Sequence, residues 1–339
     1  MKRATFALLS CFVLIAAPAL GAQRRAAFGY PPDMPGAKVE VYKNVSSNGP
    51  SQVERPGGIE LPTDSGAGSK TVGDVKLNIY IFEPAGHKPS DRTPAIIFFF
   101  GGGWTSGSPV QFQAHCQYLA SRGMVAMAAD YRVASRHRVT AKDCVADAKS
   151  AVRWVRANAQ RLGIDPNRIA AGGGSAGGHL AACTGTIAEF DEPGEDRTVS
   201  SVPNALVLFN PAVVLATEGI TLTGKEAKLA DSDRVTRLAE RMGVEPIKLS
   251  PYHHVKPGVP PTIIFHGTAD PTVPFQTVEL FTQAMTKVGN VCRLVPAEGR
   301  THGFFNYGRN NNADYRTTVR TMDEFLAQQG FLQGAPTIE

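Results

Sequence analysis

Short apolar runs alternate with longer stretches of helical spacing over most of this sequence. The apolar runs are VKLNIYIF, AIIFFF, MVAMAA, RIAAG, ALVLF, TIIFHG and VCRLV. Apolar runs of this length are typical of strands, and AIIFFF, which has no polar position, is typical of a strand covered on both faces. VKLNIYIF alternates apolar and polar residues, which predicts a half-buried strand at the edge of a sheet. One more short strand is expected at KVEVYKNV.

The clearest helical stretch is DCVADAKSAVRWVRANAQRLG, in which Gly163 is expected to end the helix. Its spacing puts four apolar residues on one face: Val145, Ala148, Val152 and Val155. Because strands and helices alternate, we predict an α/β fold with a mostly parallel, doubly wound sheet. Helices should cover both faces, and antiparallel strands should begin the sheet.

Residues 1–22 have the pattern of an export signal. Lys2 and Arg3 precede an apolar run, and small residues offer a cleavage site near Gly21 or Ala22. A membrane anchor is the alternative, but the run is shorter than the roughly 20 residues that span a bilayer comfortably. We therefore expect a secreted or periplasmic protein with no stable membrane insertion after cleavage.

The rest of the chain divides by composition into two parts. Residues 23–70 are rich in Gly, Pro and Ser, which predicts a loosely ordered lead-in, and residues 71–339 are expected to form one catalytic domain. Within that domain, residues 212–250 interrupt the alternation with a charged, helix-prone stretch. This segment is either a small cap over a site or a surface excursion.

Charge and cysteine content exclude several classes of function. The formal net charge is +5, and removal of Lys2 and Arg3 leaves +3, which is too mild for a nucleic-acid binder. No CxxC or His/Cys cluster indicates a metal site. Four cysteines remain after cleavage, and sequence alone leaves their three possible pairings open: Cys116, Cys144, Cys183 and Cys292.

Five glycines surround one serine in AAGGGSAGGH, residues 170–179. GGSAG fits Gly-x-Ser-x-Gly between a strand and a helix expected over 176–188, a turn that strains the serine and exposes its hydroxyl. Glycines two positions before and after Ser175 allow the strand and the helix to approach closely. A flexible loop or a phosphate-binding loop is the alternative, although no GxxxxGK[ST] or GxGxxG pattern follows a first strand.

A nucleophilic serine needs a base and an acid that orients the base. Asp270 follows the strand run in IIFHGTADPTVP, and His302 follows the last strand in EGRTHGFF, so Ser, Asp and His occur in the order typical of this architecture. Taken singly, Asp270 could be a turn residue and His302 is one of eight histidines. Together they predict a catalytic triad.

Acyl transfer also needs donors for the oxyanion that forms during attack. FFFGGGWTSG offers bare glycine amides after a buried strand, and we assign Gly102 and Gly103 to the oxyanion hole, with the Ala176 amide as third donor. Trp104 is either a wall of the acyl site that favours short acyl groups or a core tryptophan.

With FGGGW, GGSAGG, HGTADPTVP and THGF in this order, the chain resembles the α/β-hydrolase superfamily. The resemblance is to its hormone-sensitive-lipase-like carboxylesterases and to bacterial acetyl and feruloyl esterases, and it covers roughly residues 72–330. It implies the same triad and oxyanion residues, and hydrolysis of carboxylic esters through an acyl-enzyme without metal or cofactor. Phe100 departs from the family pattern, because it replaces a histidine that braces the oxyanion loop.

Two other functions compete with a serine carboxylesterase. HGTADPTVPFQTVELFTQAM also resembles the end of prolyl-oligopeptidase-like peptidases, but those carry a large propeller domain and usually have Tyr where Ala176 stands. The second is a non-catalytic binding module, which the three filled triad positions disfavour. The expected partner is a small-molecule or carbohydrate-linked ester, with acetyl or feruloyl esters on polysaccharides and lipid or synthetic esters all compatible.

Overall fold

A computed structural model describes residues 30–45, 75–220 and 238–339. The export signal expected over 1–22, most of the lead-in expected over 23–70, and residues 221–237 of the possible cap lie outside the described residues. The chain divides into two units, Met1–Asp33 and Met34–Glu339, and all the strands and helices described belong to the second.

Eight strands form one sheet, and a strand is present at every predicted run. Their bounds are β1 Lys38–Val45, β2 Val75–Phe82, β3 Thr93–Phe99, β4 Val125–Ala129, β5 Ile164–Gly174, β6 Ala205–Phe209, β7 Thr262–Gly267 and β8 Cys292–Ala297. The order across the sheet is β1-β2-β4-β3-β5-β6-β7-β8. Strands β1 and β2, and β2 and β4, pair antiparallel, and every other neighbouring pair is parallel. The mostly parallel sheet with antiparallel strands at its beginning is confirmed.

The prediction that VKLNIYIF is an edge strand was wrong. This strand, β2, lies between β1 and β4, and β1 forms the edge. Its alternation has a different cause: Lys76 is exposed near one end, whereas Tyr80 and Phe82 are buried in the apolar core on one face of the sheet. The pattern reflects one uncovered end of the strand rather than an uncovered face.

Five helices of two turns or more flank the sheet within the described residues. They are α1 Gln113–Ser121, α2 Ala141–Ala157, α3 Ala176–Thr186, α4 Phe275–Lys287 and α5 Ala313–Gln328. Helices α2, α3 and α4 contribute to the apolar core on one face, and α1 and α5 to the core on the other. The predicted helices on both faces are confirmed.

The apolar face predicted for α2 is fully buried, but its predicted end was wrong. Helix α2 stops at Ala157, and Asn158 caps it. A turn follows, in which Gly163, with φ of +63°, donates its N–H to the Gln160 carbonyl. Gly163 therefore ends the turn that leads into β5, not the helix.

Buried ion pairs tie the edge strand to helix α2. Asp147, fully buried in α2, accepts hydrogen bonds from Lys43 Nζ at 2.6 Å and Arg132 Nη2 at 2.7 Å. Both cations also contact the Glu192 carboxylate. Buried charges persist when paired in this way, so this network fixes the position of the chain after β4.

The cysteines of the described ranges are free thiols: Cys116, Cys144, Cys183 and Cys292. In the part of the chain that the structure describes, no helix is both long enough and apolar enough to cross a membrane.

Candidate active site

Ser175 stands at the sharp turn from β5 into α3. Its backbone has φ of +54° and ψ of −119°, a region that non-glycine residues rarely adopt, and its N–H donates to the Phe209 carbonyl at 2.9 Å. A Cβ on Gly177 would overlap the Phe99 carbonyl oxygen, and one on Gly173 would overlap the Gly177 carbonyl. Glycines two residues before and after the serine are thus required by close backbone approach.

The three residues predicted as a triad are brought together at the carboxyl ends of parallel strands. Ser175 follows β5, Asp270 follows β7 and His302 follows β8. His302 Nδ1 lies 2.7 Å from Asp270 Oδ2, and His302 Nε2 lies 2.9 Å from Ser175 Oγ. With Nδ1–H donating to the carboxylate, Nε2 is the acceptor for the serine hydroxyl.

Backbone amides hold the Asp270 carboxylate. Its Oδ1 accepts hydrogen bonds from the N–H groups of Thr272 at 2.8 Å and Val273 at 3.0 Å. Burial acts to raise the pKa of Asp270, but the hydrogen bonds from His302 and these amides outweigh it, so the pKa lies below its usual 3.8. Asp270 is therefore ionised at neutral pH and oriented toward His302.

Asn210, which the sequence did not single out, supports the histidine loop. It follows β6, and its N–H donates to the Phe265 carbonyl at 2.7 Å. Its Oδ1 accepts from the Gly303 N–H at 3.0 Å, and its Nδ2 lies 3.5 Å from His302 Nε2. No motif marks a lone Asn after an apolar strand, so only the fold reveals this role.

The predicted oxyanion donors come from two places beside Ser175. Gly103 and Ala176 line the same cavity as Ser175, whereas Gly102 is not part of that lining. Gly102 has φ of +132°, and its carbonyl accepts the N–H groups of Thr105 and Ser106. Within the described residues, the amides of Gly102, Gly103 and Ala176 donate to no other group. They are available to a ligand.

Tyr131 supports Phe100, the residue that stands just before the glycine loop (residues 101–103) and replaces the histidine of the family pattern. The Tyr131 hydroxyl donates to the Phe100 carbonyl at 2.7 Å, and the two rings stack with centroids 4.1 Å apart. Tyr131 is fully buried and follows β4, the strand beside β3. Phe100 therefore lacks the histidine's hydrogen bonds but gains an aromatic contact, and its carbonyl is supported from the neighbouring strand.

Two amide side chains connect the glycine loop to the histidine loop. Gln111 Oε1 accepts the Gly101 N–H at 2.6 Å, and Gln111 Nε2 donates to Asn306 Oδ1 at 2.9 Å. Asn306 Nδ2 donates in turn to the Gly303 carbonyl at 2.8 Å, next to His302. This row of hydrogen bonds holds together the loop that carries the predicted oxyanion donors and the loop that carries His302.

A cavity of about 400 Å³ opens beside the serine. The described parts of residues 212–250 form one side of it, and the turn after Asp270 forms another. Its lining includes Gly103, Trp104, Ser175, Ala176, Glu218 and Arg241. Most of the remaining lining is apolar, as is usual for small-molecule sites.

Trp104 is both packed and part of the cavity wall. Its indole Nε1–H donates to His179 Nδ1 at 3.2 Å, and only 6% of the residue is exposed. His179 lies on α3 and contacts the Leu249 carbonyl through Nε2 at 2.7 Å. Burial lowers the pKa of His179 to about 4, so the neutral ring accepts from Trp104 at neutral pH.

No metal-binding group stands out among the residues described. In these ranges, no cluster of three or more His, Cys, Asp or Glu has the arrangement to hold a metal ion.

Comparison with known proteins gives the family. The BD-FAE family model matches residues 77–285. Esterase LipC of Mycobacterium tuberculosis is 31% identical over 227 residues, which are 64% of this chain and 54% of that protein. Isoprenylcysteine alpha-carbonyl methylesterase ICME of Arabidopsis thaliana is 29% identical over 224 residues, 62% of this chain and 50% of that protein. The chain thus spans about half the length of the curated relatives that it matches.

Solved structures match over nearly the whole chain. Esterase 2 of Thermogutta terrifontis, phosphonylated by sarin, is 52% identical with a TM-score of 0.79 and covers 91% of this chain and 100% of that chain. The same esterase with butyrate bound is 53% identical with a TM-score of 0.77 and the same coverage. The chain therefore belongs to the BD-FAE family and has the α/β-hydrolase fold.

Proposed function

We propose that this protein is a serine carboxylesterase that hydrolyses short-chain carboxylic esters through an acyl-enzyme. One observation carries the proposal: an unbroken row of hydrogen bonds from Ser175 through His302 to Asp270, at the wall of a mostly apolar cavity. Nucleophile, base and orienting acid need this order and these contacts. A binding module has no need of a strained serine aligned with a histidine.

In this mechanism, His302 Nε2 takes the proton of Ser175 Oγ as the oxygen attacks the ester carbonyl. The amides of Gly102, Gly103 and Ala176 donate to the carbonyl oxygen as it becomes negative. His302 then gives the proton to the leaving alcohol, and an acyl-enzyme remains on the serine. Water repeats the sequence with His302 as base and releases the acid.

Asp270 keeps its negative charge throughout this cycle. Its lowered pKa makes proton transfer from the imidazolium unfavourable, so its charge stabilises His302 when that ring is protonated. His302 acts as a base only in its neutral form.

The wall formed by Trp104 supports a short acyl group. The cavity has to hold both parts of the ester in about 400 Å³, and the indole occupies part of its border. Esterase 2 of Thermogutta terrifontis is described with propionate and with butyrate bound, which are acids of this size. Acetyl groups on polysaccharides are the natural esters that we propose, because a feruloyl group is much longer than propionate or butyrate. The export signal proposed for residues 1–22 fits a polymeric substrate outside the cell.

Residues 212–250 fit the role of a small cap over the site. Ala212, Val214 and Leu215 line the cavity from one end of the segment, and Leu238 and Arg241 line it from the other. A cap of this kind would limit substrate size and shield the site from bulk solvent, while it leaves room for the water molecule that hydrolyses the acyl-enzyme.

Hydrolysis of p-nitrophenyl esters from acetate to palmitate tests the function, with Ser175→Ala as control. We expect rapid cleavage of the short esters and none by the variant. Folded wild-type protein that cleaves none of them would contradict the proposal. Cleavage of prolyl peptides in preference to esters would favour the peptidase alternative.

A further inference from the structure

Arg241 brings a positive charge to the cavity wall next to the glycine loop. Its Nη1 lies 3.8 Å from the point that a Cβ on Gly103 would occupy. Both residues line the cavity together with Ser175, so the guanidinium and the glycine face the same part of it. Within the described ranges, Arg241 forms no ion pair with any carboxylate. A guanidinium in a mostly apolar wall that no described carboxylate neutralises can bind an anion.

The other charged residue in the cavity lining is Glu218. It is exposed, and its backbone carbonyl is contacted by His253 Nε2 at 2.9 Å. No contact among the described residues brings its carboxylate to the glycine loop. Of the two charged residues that line the cavity, only Arg241 has its charged group against the glycine loop, so the charge on that part of the wall is positive.

We infer that Arg241 binds a carboxylate carried by the alcohol part of the ester substrate. The inference rests on the proposed function, because a short acyl group is too small to carry a second charged group to the guanidinium. The alcohol part must then supply the anion. The substrate class is short-chain esters of hydroxy acids, of which an uronic acid unit in a polysaccharide is one example.

Arg241 is a specificity-determining residue in this scheme and takes no part in bond making. An arginine fork binds a carboxylate through two parallel N–H donors, which orients the alcohol as well as holding it. Because Arg241 is exposed, water and salt weaken the pair. We expect a preference of about three- to tenfold in kcat/KM for the anionic ester, in line with hydrogen bonds to a charged group that water partly screens.

The test uses the acetate esters of 4-hydroxybenzoate and 4-hydroxybenzamide, which differ in a carboxylate against an amide of nearly the same shape. The quantity measured is the ratio of their kcat/KM values within one protein, compared between wild type and variants. A general loss of activity cancels in this ratio, and the intrinsic reactivity of each ester cancels when the ratios of two proteins are compared. Arg241→Gln removes the charge, and Arg241→Lys keeps it.

Lys248→Gln is the matched control. Lys248 lies in the same segment and carries the same charge, but it pairs with Glu245 at 3.0 Å and is not part of the cavity lining. We expect Arg241→Gln to lower the ratio by about three- to tenfold and Lys248→Gln to leave it unchanged. Arg241→Lys should give an intermediate ratio, because lysine keeps the charge but not the two-donor fork. Salt at about 0.5 M should lower the wild-type ratio toward that of Arg241→Gln.

An equal ratio in wild type and Arg241→Gln overturns the inference, and so does an equal drop in Lys248→Gln, which would reflect net charge alone. Either result leaves the proposed function standing as long as wild type cleaves both esters. Wild-type protein that cleaves neither of them rejects the proposed function itself, and this inference with it.

Discussion

His115 should lower the stability of the folded protein at acid pH, and a variant that lacks this histidine separates its effect from that of the other titrating groups. The ring is fully buried in α1 among Phe112, Phe209 and Tyr315, and neither ring nitrogen has a hydrogen-bond partner in the described residues. Burial without a partner lowers the pKa of His115 from 6.5 to about 3. The perturbation is a drop in pH, with His115→Leu as the variant that cannot titrate.

The sign and size follow from linkage. Because the pKa in the folded state lies below that in the unfolded state, the unfolded chain binds more protons between about pH 6.5 and 3. The free energy of unfolding therefore falls as pH falls through this window. Each pKa unit corresponds to about 1.4 kcal/mol, so His115 should cost about 2 kcal/mol at pH 5 and about 5 kcal/mol once pH is below 3.

Urea unfolding followed by far-UV circular dichroism at pH 5 and pH 8 measures the effect. His115→Leu should be at least as stable as wild type at pH 8, because it removes two unpaired polar atoms. At pH 5, the difference in free energy of unfolding between the variant and wild type should be about 2 kcal/mol larger than at pH 8. Phe112→Leu is the control: it shortens a neighbouring buried side chain without a titrating group, so its cost of about 1 to 2 kcal/mol should not change with pH. A stability difference between His115→Leu and wild type that is the same at both pH values would refute this role of His115.

Three further variants test the site. Gln111→Ala should lower kcat by about 10- to 100-fold with a smaller change in KM, because it frees the glycine loop. Gln117→Ala, on the exposed surface of α1, should leave kcat unchanged, and steady-state kinetics measure both variants. Gly177→Ala should lower the free energy of unfolding by about 3 kcal/mol or prevent folding, since its Cβ overlaps a carbonyl. Gly86→Ala has open space around it and should lower the free energy of unfolding by only about 1 kcal/mol, as measured by urea unfolding. Trp104→Ala should raise the ratio of octanoate to acetate hydrolysis, and an unchanged ratio would remove Trp104 from the acyl wall.

Most of the sheet could be predicted from the sequence, because each buried parallel strand is a short apolar run that is visible locally. Ala205–Phe209 and Thr262–Gly267 are buried along their whole length, and their apolar runs are unmistakable. The position of β2 in the sheet is different, because it depends on the pairing of β1, which is distant in sequence and only partly apolar. The end of α2 was also missed, since the turn before Gly163 keeps a helical composition.

The residues predicted as a triad lie in recognisable sequence motifs, whereas the residues that hold their loops in place do not. Gly177 and Ser175 stand in a short pattern whose glycines are enforced by overlap. Gln111 and Asn306 are 195 residues apart and meet only because two loops fold to one end of the sheet. Nothing in either local sequence indicates that contact. The hydrogen bond from Tyr131 to the Phe100 carbonyl likewise depends on strand order, which no local pattern contains.

The most direct test of the central claim is to find which atom reacts. Esterase 2 of Thermogutta terrifontis is described as phosphorylated by paraoxon, and the same reagent can be applied to this protein. Peptide mass spectrometry of the inactivated protein should find one diethylphosphoryl group on Ser175, in proportion to the loss of ester hydrolysis. Inactivation with Ser175 unmodified, or an active folded protein that paraoxon does not affect, would contradict Ser175 as the nucleophile.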